Sequence, residues 1–221
     1  MDINKHHALV LGASGVLGGL IASDLVAAGA DVSLLTRSGE VSSDLAGLAH
    51  VRADLREPGA LEDALDALTP PFSIVVNAVG VVAFGRLDEV PDSAVAELFD
   101  TNARGLVTLL RLLSTRVSPG GVVVNLTGVA ADVTVLGLSA YSASKAAAKA
   151  ALGVAAREWR SKKIRVLDVR APHTETGLVT RALWGEAPNF GAGLEPALVS
   201  QRIVRAIHDD ETLLLPESFT N

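Results

Sequence analysis

Tyr141 and Lys145 stand four residues apart in "SAYSASKAAAKAAL", a stretch dominated by good helix formers. On a helix the two side chains share one face, one turn apart, so a phenol and an ammonium can converge. Free tyrosine titrates near 10, so ready proton transfer near neutral pH asks for a fall of about two to three units, and one neighbouring cation supplies about one to three. The pair reads as a general acid towards a carbonyl or a general base towards an alcohol. The competing reading is an ordinary Tyr–Lys neighbour pair on a helix, and the spacing alone does not decide between the two.

A second stretch, "LGASGVLG" at residues 11–18, sets Gly12, Gly15 and Gly18 after a strand-like run and before a helix-like one. In that context glycines allow a sharp turn, close approach of backbone N–H groups to a pyrophosphate, and tight packing of helix on strand. The helix N-terminus adds a preference for negative charge. The alternative is a tight strand-to-helix turn whose glycines are incidental. Where the next strand ends, "VSLL" runs into Thr36, Arg37 and Ser38 with no carboxylate at the turn. A free ribose 2′-hydroxyl is commonly held by Asp or Glu and a 2′-phosphate by Arg, so NADP is favoured over NAD. Glu40 close by argues the other way.

The elements that must position these residues follow from hydrophobic patterning. Short runs rich in β-branched residues, "HALVL", "DVSLL", "HVRA", "SIVVN", "VVVNL", "IRVLDV" and "TLLLP", alternate with longer Ala/Leu-rich segments. That alternation predicts an α/β fold: a three-layer, Rossmann-like, doubly wound parallel sheet of about seven strands in a single domain over residues 1–221. Several strand candidates are apolar at consecutive positions, as expected when helices cover both faces. Helices are expected from Val16 to Ala28, from Pro58, from "PDSAVAELF", from Ser139 to Arg160 and after Pro196. The one long loop, residues 173–195, is the place for a lid.

Composition narrows the function classes. The chain has 221 residues, 49% hydrophobic and 20% charged, with no apolar run near the roughly 20 residues needed to span a bilayer, so no membrane partner is expected. No basic and apolar leader precedes the first strand-like run, which predicts a cytoplasmic location. With no cysteine, disulfides and thiolate chemistry are excluded. The net charge of −6 and scattered Lys and Arg argue against nucleic acid. Five histidines without a ligand spacing such as H-E-x-x-H argue against a metal centre.

Taken together, the glycine turn, "VNAVG" at residues 76–80, Asn102 in "FDTNARG", a strand ending "VNLTG" and then "YSASK" resemble the short-chain dehydrogenase/reductase family over essentially the whole chain. The resemblance implies an NADP-dependent oxidoreductase moving a hydride between nicotinamide and a carbonyl or alcohol. It implies Tyr141 as proton donor, Lys145 as ligand of the nicotinamide ribose that lowers the tyrosine pKa, and Asn102 as anchor of a proton-relaying water. For the cofactor it implies Gly12, Ser14, Gly15, Val16, Leu17 and Gly18 at the first turn, with Thr36, Arg37 and Ser38 at the second strand. Asp54 and Leu55 follow the third strand, and Asn77, Ala78 and Val79 end the fourth. Pro172, Thr174 and Thr176 fall in a loop that closes on the nicotinamide.

Three features depart from the family pattern. The glycines are spaced three and three, as in longer epimerase and dehydratase members, although the chain is short for such a substrate domain. The position thirteen residues before Tyr141, where the family carries a serine that positions the carbonyl, is Gly128, with Thr127 next to it as the substitute hydroxyl. His173 stands where the family has glycine after Pro172; it reads as a loop residue, with a substrate contact as the alternative. Leu178, Leu183, Trp184 and Phe190, with Phe84, suggest an apolar cover and a small to medium, mostly apolar substrate. The small residues of "AAAKAALGVAA" and the resemblance imply a homodimer or homotetramer. The rival readings are a non-catalytic NADP-binding or sensor protein and a sugar-nucleotide epimerase or dehydratase.

Overall fold

Leu9 and Leu11 of the first strand, β1 (His7–Leu11), point to one face of a sheet and Ala8 and Val10 to the other, and all four are fully buried. A strand covered on both sides reads as an unbroken apolar run, which is why "HALVL" shows no alternation. The same split recurs in the computed structural model for β4 (Phe72–Asn77) and β5 (Val117–Leu126), where Val75 and Val123 face one layer and Val76 and Val124 the other. The structure describes residues 1–219; residues 220 and 221 of the expected domain lie outside the described residues.

With β2 (Asp31–Thr36), β3 (Ala49–Arg52), β6 (Arg165–Val169) and β7 (Leu213–Leu214), the strands form one parallel seven-stranded sheet in the order β3-β2-β1-β4-β5-β6-β7. Helices α2 (Pro58–Ala67), α4 (Leu106–Leu113) and α5 (Ser139–Glu158) pack on one face. Helices α1 (Val16–Ala27) and α6 (Pro196–His208) pack on the other. The strand order reverses between β1 and β4, and such a switch opens a crevice at the carboxyl ends of the strands. Among the described residues no helix is long and apolar enough to cross a membrane.

Two elements differ from the patterning. Helix α3 (Asp92–Phe99) runs through a π-helical turn, Asp100–Gly105, directly into α4. Asp, Thr, Asn and Gly in "DTNARG" are weak helix formers and mask that continuity. Strand β5 begins at Val117, ahead of "VVVNL", because Val117 pairs with Phe72 across an irregular register; Pro119 and the glycines beside it otherwise read as a loop.

Candidate active site

The sequence "SAYSASK" opens α5, and its one-turn spacing delivers Tyr141 and Lys145 to the wall of a cavity of about 780 Å³. The cavity runs to the glycine turn between β1 and α1. Lys145 is 7% exposed, and its Nζ donates to the Leu126 carbonyl at 3.1 Å. An ammonium carries three donors, so two are left for a ligand in the cavity. A Cβ on Gly80 would lie 3.3 Å from that Nζ, so glycine leaves the approach open.

Tyr141 packs between Val82, Phe84 and Leu138 on one side and Ala83, Ala94 and Leu98 on the other. Loss of water around the phenol pushes its pKa up to about 12. Burial likewise pushes Lys145 down to about 8, against the opposing pull of the Asp168 carboxylate. The lowering expected of Lys145 together with a cationic nicotinamide acts against this burial. The Nζ sits 5.8 Å from the ring centroid.

Asn102 lies in the π-helical turn and is 4% exposed. Its Oδ1 accepts from the Val81 N–H at 3.0 Å, and its Nδ2 donates to the Val81 carbonyl at 2.9 Å and to Ser144 Oγ at 3.1 Å. The side chain thus fastens the segment after β4 to α5, within the turn that separates Tyr141 from Lys145. Ser144, which sequence reading missed, also donates to the Tyr141 carbonyl at 2.8 Å.

Thr127, the expected substitute for the missing serine, lines the cavity. It is 0% exposed, and its Oγ1 accepts from Asn125 Nδ2 at 2.9 Å, at the end of a ladder in which Asn77 Nδ2 donates to Asn125 Oδ1 at 2.7 Å. Gly128 has φ 80° and ψ 157°, a region open essentially to glycine alone, although a Cβ there would meet nothing within 4 Å. A serine at 128 would need a different backbone.

The remaining wall fits a dinucleotide. Gly12 has φ 81°, and a Cβ on Gly18 would fall 2.2 Å from the Gly12 carbonyl, so strand and helix meet at a distance only glycine permits. Helix α1 starts after Gly15 with no side-chain cap and no acidic residue in its first turn, which leaves its N–H groups for an anion. Ser14, Val16, Leu17, Asp54, Leu55, Ala78 and Val79 line the same cavity, as do Pro172, Thr174 and Thr176. Asn77 does not reach it; its Oδ1 instead accepts from the Val79 N–H at 3.3 Å. Asp54 is gripped by Arg56, whose guanidinium holds the carboxyl below its ordinary value. Thr101 Oγ1 is buried without a hydrogen-bond partner and also borders the cavity; nothing in the sequence but its place beside Asn102 points to it.

At the end of β2 the three residues diverge. Thr36 is 1% exposed, pairs with His50 Nε2 at 2.8 Å and accepts from the Gly39 N–H, so it shapes the turn while also lining the main cavity. Arg37 is exposed and lines both the main cavity and a smaller one of about 340 Å³ that holds Ser38 and Glu40. Across the mouth, the 173–195 segment is stitched down by Leu183 N–H to the Val82 carbonyl and Phe84 N–H to the Trp184 carbonyl, both 2.8 Å. Leu178, Phe190 and Phe84 line the cavity, whereas Leu183 packs against Ala83, Ala94 and Leu98, and Trp184 is half exposed. His173 also lines the cavity, with its ring 5.3 Å from that of Phe190 and Nε2 3.5 Å from Glu175 Oε1.

Known proteins carry the same framework. A family model for short chain dehydrogenases matches residues 6–185. An uncharacterized oxidoreductase of Methylorubrum extorquens is 30% identical over 206 residues, covering 88% of this chain and 81% of its own. A D-erythrulose reductase of Gallus gallus is 30% identical over 173 residues, covering 75% and 70%. The crystal structure of a short chain dehydrogenase of Burkholderia cenocepacia in complex with NADP superposes with a TM-score of 0.85 at 22% identity, over 99% of this chain and 91% of that one. The seven-stranded sheet, the glycine turn and the matched span make this chain a member of the short-chain dehydrogenase/reductase family of oxidoreductases.

Proposed function

We propose that the chain is an NADP-dependent reductase of a small to medium, mostly apolar ketone or aldehyde. The observation that carries this reading is the convergence of Tyr141 and Lys145 on one cavity whose far end is the glycine turn and the uncapped start of α1. Gly12, Gly15 and Gly18 with the α1 N-terminus would hold the pyrophosphate, and Lys145 the nicotinamide ribose. Arg37 would meet the 2′-phosphate. When bound, the reduced nicotinamide supplies a hydride to the carbonyl carbon.

Tyr141 then gives its hydroxyl proton to the carbonyl oxygen as the π pair of the C–O bond moves onto that oxygen, and the phenolate regains a proton from water. A phenol held at about 12 is protonated throughout the neutral range but is a weak acid there, so its proton transfer depends on stabilisation of the phenolate. Lys145, charged below about pH 8, stabilises the phenolate. Phe84, Leu138, Leu178 and Phe190 present apolar surface to the substrate and exclude water. Thr127 acts at one remove, holding Asn125 and through it the end of β4. Phe99, Val107 and Val154, apolar and exposed on α3, α4 and α5, are the surface for a homodimer, which light scattering at one chain mass would overturn.

A second reading, a non-catalytic NADP-binding or sensor protein, draws on the glycine-only backbone at 128 and the burial of Thr127. NADPH consumption over a panel of carbonyl compounds, native chain against Tyr141→Phe, separates the two. Turnover lost in the variant supports the reductase. Tight NADPH binding without turnover supports the sensor.

A further inference from the structure

Residues 173–195 contain one Lys or Arg, Arg181, and it closes the short helical turn Val179–Arg181. Its Nε donates to the Gly177 carbonyl at 3.2 Å and one terminal nitrogen to the Thr176 carbonyl at 3.3 Å, which leaves further N–H groups of the guanidinium unspent. Arg181 lines the 340 Å³ cavity together with Arg37, Ser14, Ser38 and Ser42. Among the described residues neither guanidinium forms an ion pair, although Arg37 is near enough to Asp54 to help lower its pKa. Two like charges facing one small polar cavity repel unless an anion lies between them, and a planar guanidinium suits a phosphate dianion. Glu40 on the same wall weakens the attraction without removing it.

We infer that Arg181 is the second cation for the 2′-phosphate and that the phosphate thereby latches the lid to the cofactor. The inference rests on the NADP reading, in which Arg37 is the first cation. Arg37 sits at the end of a strand of the sheet, whereas Arg181 sits on the segment that covers the substrate cavity. A phosphate held between them therefore couples cofactor choice to closure. A cofactor lacking the phosphate binds with the lid untethered, so coenzyme preference and substrate affinity change together when Arg181 is lost.

The test is titration of NADPH and NADH against the native chain, Arg37→Ala, Arg181→Ala and Arg181→Lys, read by nicotinamide fluorescence. Thermal shifts with 2′,5′-ADP, 5′-ADP and inorganic phosphate form a second readout. Arg181→Ala is expected to weaken NADPH by tenfold or more with NADH unchanged. The same change is expected to abolish the extra thermal shift of 2′,5′-ADP over 5′-ADP, and Arg181→Lys to recover part of both. An unchanged NADPH/NADH ratio in Arg181→Ala, with Arg37→Ala still losing NADPH, overturns the latch and leaves the NADP reading standing. A native chain that prefers NADH overturns both. A shift with inorganic phosphate alone equal to that with 2′,5′-ADP also overturns the latch, because it marks a free-anion site.

Discussion

Asn102 donates its amide to Ser144 Oγ at 3.1 Å, joining the π-helical turn after α3 to the turn of α5 that separates Tyr141 from Lys145. The same side chain spans both backbone polar groups of Val81. One residue thus fixes the spacing between the helix that carries Tyr141 and Lys145 and the loop that forms the facing wall. Asn102→Ala leaves the part-buried Val81 N–H and carbonyl without their side-chain partner. We expect a stability loss of about 2–4 kcal/mol, read as a lower urea midpoint at unchanged slope.

Tyr141→Phe keeps the packed ring and removes only the donor. Carbonyl turnover should fall by about 10²–10⁴ while NADPH affinity is retained, since general acid catalysis typically contributes that much. Equal loss of binding and turnover would point to misfolding and count against the assigned role.

Lys145 gives a signed pH dependence. Its native value of about 8 lies below its ordinary 10.5, so between the two the unfolded chain holds more protons, and stability rises with pH across that window. Below about pH 8 the cost of the buried ammonium is fully present. Tyr141 acts in the opposite sense, removing stability above about pH 10 because the native phenol stays protonated to about 12. Urea unfolding of the native chain at pH 7.5 and 9.5 should show the rise, and Lys145→Met should flatten it.

Gly128→Ser tests whether the family's serine can simply be restored. With φ at 80° and ψ at 157°, we expect a cost of about 1–3 kcal/mol and no gain in turnover. A variant as stable as the native chain and more active would show that the backbone at 128 rearranges freely.

Gly18→Ala places a methyl where the Gly12 carbonyl already sits, 2.2 Å from the ideal Cβ. The turn and α1 must separate, so we expect NADPH and NADH to lose affinity together by at least tenfold. Loss of one cofactor alone would argue that the turn does not hold their shared pyrophosphate.

The sequence by itself determined what depends on neighbours along the chain. Strand-helix alternation, the shared face of Tyr141 and Lys145, and the glycine turn before α1 are local patterns, and local geometry obliges them to reappear in the fold. Even there, "DTNARG" hid the continuity from α3 into α4, because its residues favour other conformations until packing holds them. Tertiary structure decided everything that depends on residues far apart in sequence. The Asn102 amide is spent on Val81 and Ser144, the Thr127 hydroxyl accepts from Asn125, and Arg181 of the 173–195 segment shares a cavity with Arg37 just after β2. The Tyr141 pKa belongs to this second group. Spacing along a helix brings a cation near, but only the assembled core decides how much water the phenol loses, and here that loss prevails.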